Sequence, residues 1–103
     1  MEQLLQYTWK HKMLPLAGLV TTDGREVEVI DPGLQNRNAG PDFFNAKVKI
    51  GGALWVGNVE IHNRSNDWYL HGHDSDPRYD NVVLHICETI DGKVQNSVGY
   101  DIP

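Results

Sequence analysis

Two acidic residues stand at matching positions of a predicted β-hairpin and are the residues best placed to do chemistry. Asp42 comes just before an apolar run that ends at Ile50, and Glu60 lies near the end of the next run, which begins at Ala53. The glycine pair Gly51-Gly52 separates the runs, and adjacent glycines supply the positive φ of a tight hairpin turn. Both carboxylates then lie at the open end of the hairpin, where two strands can share a divalent cation.

The register of this hairpin decides whether the two carboxylates meet. Side chains alternate between faces along a strand, so Glu60 and His62 share one face. With a two-residue turn, paired residues have numbers that sum to 103, and Asp42 faces away from Glu60. A three-residue turn through Ala53, or a bulge at Gly57, makes the sum 104 and brings Asp42 to the face of Glu60. A shared metal site therefore requires one irregularity in the hairpin.

Length, charge and cysteine content restrict the class of protein. A chain of 103 residues predicts a single domain, residues 1–103. A net charge of -5 gives no basic field for non-specific binding of nucleic acid. Cys87 is the sole cysteine, which excludes an internal disulfide, and the first residues do not resemble a signal peptide. No apolar stretch approaches the ~20 residues that span a bilayer. We expect a cytoplasmic protein without a membrane segment.

The hydrophobic pattern predicts an α+β fold with a mixed sheet of about four to five strands. We expect an N-terminal helix from about Glu2 to Met13 and a first strand or small hairpin that ends near Ile30. The two strands of the central hairpin follow, and a short polar crossover with one helical turn then spans residues 63–81. The apolar run from Val82 to Cys87 predicts a central strand, buried on both faces and parallel to the strand that carries Glu60.

The pair Pro41-Asp42 followed by Glu60-Ile61-His62 resembles the motif of the PD-(D/E)XK nuclease superfamily. This resemblance implies a restriction-endonuclease-like αβββαβ core and metal-dependent hydrolysis of nucleic-acid phosphodiesters. It implies that Asp42, Glu60 and the backbone carbonyl of Ile61 hold Mg²⁺ or Mn²⁺. His62 stands where the superfamily usually has lysine, so it is the third candidate catalytic residue, as a general base or a ligand of Mn²⁺. The missing positive charge implies weak or absent activity.

Each candidate also has a structural interpretation. An Asp after Pro is a common turn or capping residue, and a Glu at a strand end is commonly solvated. His71, His73 and His85 form a second constellation with His62 that a zinc ion could use. The structural alternative places His71 and His73 in a solvated crossover. It makes His85 a core histidine whose ring bonds a loop carbonyl.

A closer resemblance extends over nearly the whole chain. The segments that carry it are Asn38–Ala46, Gly57–His62, Asp67-Trp68, His71-Gly72-His73 and Tyr79–His85. They are similar to the N-terminal portion of an uncharacterised bacterial family, the domain of unknown function 2851 family. The members of that family are several times longer, so the resemblance implies that this chain is the N-terminal part of a longer architecture. The family name brings no function with it.

Three functions of different classes follow from these observations. The first is a PD-(D/E)XK-like nuclease or a degenerate descendant of one, with nucleic acid as its partner. The second is a non-catalytic interaction or assembly module, which forms a homo-oligomer or docks to a missing downstream domain. The third is a histidine-based metal-binding module without hydrolysis. A cation at Asp42 and Glu60 supports the first, an apolar symmetric contact the second, and zinc at the histidines the third.

Overall fold

A mixed five-stranded sheet is the main element of secondary structure in the described residues. The computed structural model describes residues 6–7, 9–10, 20–97 and 102–103. The strands are β1 (Val27–Asp31), β2 (Leu34–Gln35), β3 (Phe43–Ile50), β4 (Ala53–Arg64) and β5 (Val82–Thr89). Their order is β1-β3-β4-β5, and β2 pairs with the same strand, β3, as β1 does. The β3–β4 pair is antiparallel and the β4–β5 pair is parallel. The predicted mixed sheet and the parallel pairing are therefore confirmed.

The predicted central position of the last strand is wrong. Among the described residues, β5 stands at the end of the strand order, beyond β4. The amide of His85 nevertheless donates to the carbonyl of Pro103 at 2.9 Å, so Pro103 covers part of this edge. Val82, Leu84 and His85 are buried. Because these contacts cover the outer edge and the side chains of β5, a strand at the end of the sheet can be as apolar as a central one.

A helix and a small hairpin were predicted before β1. The predicted helix from Glu2 to Met13 lies mostly outside the described residues, and with it the αβββαβ nuclease-like core stays a prediction. The small hairpin before β1 is present as an antiparallel bridge between Val20 and Glu26. No described helix is long and apolar enough to cross a membrane.

The two faces of the sheet have different partners. One face carries the larger hydrophobic core, which includes Val48, Val59, Ile61 and Leu84, with Trp9 packed among them. The other face of β4 and β5 is covered by the crossover, which consists of a single helical turn α1 (Asp67–Leu70) and the 3₁₀ turns His73–Ser75 and Pro77–Tyr79. A smaller core, formed by Trp68, Tyr79, Val82 and Val94, lies beneath this segment. The predicted helical turn in the crossover is thus confirmed.

Candidate metal centre

A bulge in β3 places Asp42 opposite Glu60. The turn has two residues, with φ of 58° at Gly51 and 84° at Gly52. The register that this turn sets holds as far as the pair of Ala46 with Gly57, but beyond it Phe43 pairs with Val59. Continuation of that shifted register puts Asp42 directly across from Glu60.

The irregularity predicted near Gly57 is present, but the extra residue is in β3 rather than at Gly57 in β4. It lies in the strand opposite Gly57, where two residues of β3, Phe44 and Asn45, face the single residue Asn58. Asn45 has a φ of 57°, which asparagine tolerates better than most residues, and its amide donates to Asn58 Oδ1 at 3.2 Å. Gly33 packs against the bulge so closely that a Cβ there would lie 2.4 Å from the carbonyl oxygen of Phe44.

The two carboxyl groups converge as predicted. The amide of Asp42 donates to Glu60 Oε1 at 3.1 Å, and the amide of Ile61 donates to Asp42 Oδ2 at 2.9 Å. The Asp42 and Glu60 side chains are themselves hydrogen-bonded. Burial first, then this hydrogen bond and the charge of Glu60, raise the pKa of Asp42 from 3.8 to about 7. The two groups therefore share one proton near neutral pH. The role of the Ile61 carbonyl as a metal ligand stays a prediction.

The parallel pairing of β4 and β5 adds two further polar groups beside the carboxylates. Glu60 is paired with His85, and His62 with Cys87, so all four side chains lie on the face beneath the crossover. Gly57 makes this register possible, since a Cβ at that position would lie 2.4 Å from Val83 Cγ1. Glu60, His62 and His85 are all buried.

The crossover brings two histidines down onto this face. Gly72 takes the left-handed conformation (φ 72°) between His71 and His73, and this turns the chain over the sheet. The His73 ring stacks on Tyr79, with ring centroids 3.7 Å apart, and lies edge-on to Trp68. Trp68 is fully buried and fixed by a hydrogen bond from its Nε1 to the carbonyl of Gln95. His73 is consequently held in one orientation.

Three imidazole rings and one carboxylate lie close enough together to coordinate a single metal ion. One nitrogen atom from each of His62, His71 and His73 can be chosen so that all three lie within 4.8 Å of one another. His62 Nε2 lies 3.0 Å from His71 Nδ1 and 3.5 Å from Glu60 Oε2. His73 Nε2 lies 2.6 Å from the same oxygen of Glu60. The direction of this contact is not that of a hydrogen bond, and the buried Nε2 has no other hydrogen-bond partner among the described residues.

The buried histidines are neutral at physiological pH. Burial, and then the neighbouring His85, lower the pKa of His62 from 6.5 to about 3. Burial also lowers the pKa of His73, and it lowers the pKa of His85 to about 4. Neutral imidazole has a lone pair available for a metal ion, so these histidines need lose no proton to coordinate one.

The positions of the four histidines agree in part with those predicted from the sequence. His62 lies on the face of Glu60, as predicted from the alternation along the strand. His85 is a buried core histidine, as predicted, but its ring contacts His62 rather than a loop carbonyl, with Nε2 2.7 Å from His62 Nδ1. The solvated position predicted for His73 is wrong, because only 7% of its surface is exposed. His71 is exposed, as predicted.

Sequence reasoning missed the convergence of His73 with Glu60 and of Cys87 with His85. The His-x-His spacing was visible, but nothing in the local pattern shows that the crossover folds onto the sheet at this point. A signal was present in β5, where His85 and Cys87 alternate with apolar residues as Glu60 and His62 do in β4. Two strands with the same alternation share a polar face when they pair in parallel.

The fold and the cluster together define a mostly β protein with a candidate metal centre under its crossover. The chain belongs to the family described as "Protein of unknown function (DUF2851)", whose model matches residues 2–103. This confirms the family resemblance found in the sequence. Comparison with curated proteins and with solved structures gave no match. The single domain, the cytoplasmic location and the downstream architecture stay predictions.

Proposed function

We propose that this protein is a metal-binding module whose centre is a divalent transition-metal ion held by His62, His71, His73 and Glu60. The observation that carries the proposal is the convergence of three imidazole nitrogens within 4.8 Å of one another beside a buried carboxylate. The buried Nε2 of His73 faces Glu60 Oε2 at 2.6 Å without the geometry of a hydrogen bond, which is costly unless a ligand satisfies both groups. A cation bound there offsets that cost.

The donor set selects the class of metal. Imidazole nitrogen suits zinc and the later transition metals, whereas Mg²⁺ prefers oxygen and retains several waters. Of the two ions predicted from the sequence, Mn²⁺ fits this centre better than Mg²⁺, and Zn²⁺ fits better still. Three protein nitrogens with one carboxylate are within the range of known zinc coordination. A bound ion would supply Lewis acidity for a hydrolytic reaction.

Calorimetric titration of the chelator-treated protein with Zn²⁺, Mn²⁺ and Mg²⁺ tests the proposal. We expect one Zn²⁺ per chain, weaker binding of Mn²⁺ and no saturable binding of Mg²⁺. His71→Ala removes an exposed ligand with little cost to folding and should weaken Zn²⁺ binding by more than about tenfold. Leu70→Ala is the matched control, since Leu70 precedes His71 and is 71% exposed. Absence of saturable Zn²⁺ and Mn²⁺ binding by the wild type would overturn the proposal and favour the assembly-module alternative.

The second candidate is a metal-dependent phosphodiesterase related to the PD-(D/E)XK nucleases. The position of Asp42 opposite Glu60 favours it, together with the pKa of about 7 for Asp42. A carboxyl group that titrates near neutral pH is suited to general acid–base catalysis. The proposed substrate is a nucleic acid, and the chain's net charge of -5 requires that a bound cation or another domain attract it.

The variant His62→Lys separates the two candidates. In the nuclease hypothesis, lysine restores the positive charge that the superfamily has at this position, and cleavage is maintained or increased. In the histidine-centre proposal, lysine removes a metal ligand, and Zn²⁺ binding is lost. Cleavage of single- and double-stranded substrates with Mn²⁺ or Zn²⁺ should be measured beside metal binding, with Glu60→Gln as the variant expected to abolish both.

A further inference from the structure

His85 lies next to the proposed metal ligand His62 but is not itself one of the proposed ligands. Its Nε2 is 2.7 Å from Nδ1 of His62, on the side of the His62 ring away from His71. The Sγ atom of Cys87 lies 3.7 Å from its Nδ1 and 3.5 Å from its Nε2. The ring of Trp68 packs against the His85 ring with centroids 5.1 Å apart, and this packing restricts its rotation.

The hydrogen bond between the neutral rings of His62 and His85 can run in either direction. A neutral imidazole has one N–H and one lone pair, so each short nitrogen–nitrogen contact needs a donor on one side and an acceptor on the other. In the first arrangement His62 Nδ1 donates to His85 Nε2, and His62 Nε2 keeps its lone pair. In the second, His85 Nε2 donates to His62 Nδ1, and His62 Nε2 carries the proton that faces His71.

A metal ion at the cluster is compatible with the first arrangement alone. His62 Nε2 is the nitrogen that faces His71 and Glu60, so it must present a lone pair to the ion. The His62 proton is then on Nδ1 and is donated to His85 Nε2. His85 must in turn be protonated on Nδ1, where the Cys87 sulfur is a weak acceptor at 3.7 Å.

We propose that His85 is a positioning residue that fixes the tautomer and the ring orientation of the metal ligand His62 by accepting a hydrogen bond from its Nδ1–H. This inference rests on the proposed metal centre. Ligating histidines generally donate their second N–H to such a partner, which raises the basicity of the ligand and holds its ring in place. In this protein the partner is itself a buried histidine, and β5 holds it in register with Glu60.

Two variants of His85 test the assignment. His85→Gln places an amide oxygen near the position of Nε2 and keeps an acceptor for His62, whereas His85→Leu has a similar volume and no acceptor. We expect His85→Leu to weaken Zn²⁺ binding by about 10- to 100-fold, and His85→Gln to retain most of the affinity. Thermal unfolding in chelator measures the effect of each substitution on folding separately from its effect on metal binding.

Nitrogen-15 NMR of the Zn²⁺-loaded wild type gives a readout that a purely structural role would not move. Long-range proton–nitrogen correlations should show His62 protonated on Nδ1 and His85 protonated on Nδ1. Zn²⁺ affinity of a folded His85→Leu variant equal to that of the wild type, or a proton on His62 Nε2 in the loaded protein, would overturn the inference. If His85→Leu does not fold, the NMR assignment and the His85→Gln affinity decide. A wild type that binds no Zn²⁺ would refute the proposed centre itself.

Discussion

In the absence of metal, the protein should lose stability as the pH falls from about 6 to 4.5, and Asp42 should reduce the slope of that loss. The pKa values of His62 and His85 are lowered from 6.5 to about 3 and about 4, and that of Asp42 is raised from 3.8 to about 7. In this pH range the unfolded chain binds two protons on the two histidines. The folded chain binds one, on Asp42. Counting these three groups alone, the unfolded state therefore holds about one proton more.

The signs of the two contributions are opposite. The stability that comes from the neutral histidines is fully present above pH 6.5 and is lost as the pH falls toward their folded pKa values. The stability that comes from protonated Asp42 is fully present below pH 3.8 and is lost as the pH rises through about 7. One excess proton corresponds to a fall of about 1.4 kcal/mol in unfolding free energy per pH unit. Asp42→Asn removes the opposing proton, so its excess is about two and its slope about 2.7 kcal/mol per pH unit.

Urea unfolding in the presence of a chelator, at several pH values between about 4.5 and 6, measures both slopes. His73, whose pKa burial also lowers, makes both slopes steeper. Glu28→Gln is the control, because Glu28 is exposed on β1 and is paired with Lys49, at the opposite end of β3 from Asp42. Equal slopes for the wild type and Asp42→Asn would refute the shared proton between Asp42 and Glu60.

Three substitutions test the packing that positions the site, each by denaturant unfolding. Asn45→Val should cost about 1–3 kcal/mol because a β-branched residue is strained at the positive φ of the bulge, whereas Asn45→Gly should be close to neutral. Gly57→Ala should cost about 1–3 kcal/mol by overpacking against Val83, and a milder loss with Val83→Ala in the same chain would confirm that contact. Trp9→Ala should cost about 3–5 kcal/mol, since Trp9 is 1% exposed and donates to the carbonyl of Pro32; a loss below 1 kcal/mol would contradict its place in the core.

Local chemistry was sufficient to predict the central hairpin and the parallel last strand. The glycine pair indicates a tight hairpin turn, and the apolar run of β5 after a long connection indicates a parallel partner. A bulge near Gly57 was one of two predicted alternatives, but its position at Asn45 of β3 could not be identified, because asparagine occurs at many positions of strands and turns without a positive φ. Its position depends on the contact of Gly33 with the backbone of β3, which joins residues that are distant along the chain.

The candidate site was likewise predicted only in part from the sequence. Asp42, Glu60 and His62 were found because alternation along two paired strands places them on one face. His73 was named with His62 and His71 as a possible metal-binding set. Its burial was not predicted, because that depends on how the crossover packs against the buried Trp68 and Tyr79 rather than on the His-x-His spacing. The edge position of β5 was missed because an apolar run has the same pattern whether a neighbouring strand or the segment at Pro103 covers it.

The crossover that covers the site has a kinetic consequence. Glu60, His62 and His73 are buried between this segment and the sheet, and His71 is the exposed member of the proposed ligand set. An ion therefore reaches the buried donors either past His71 or when residues 65–79 lift from the sheet in a local opening reaction. Exchange of a bound ion for one in solution should then follow the rate of that opening, and be slow compared with exchange at an open surface site.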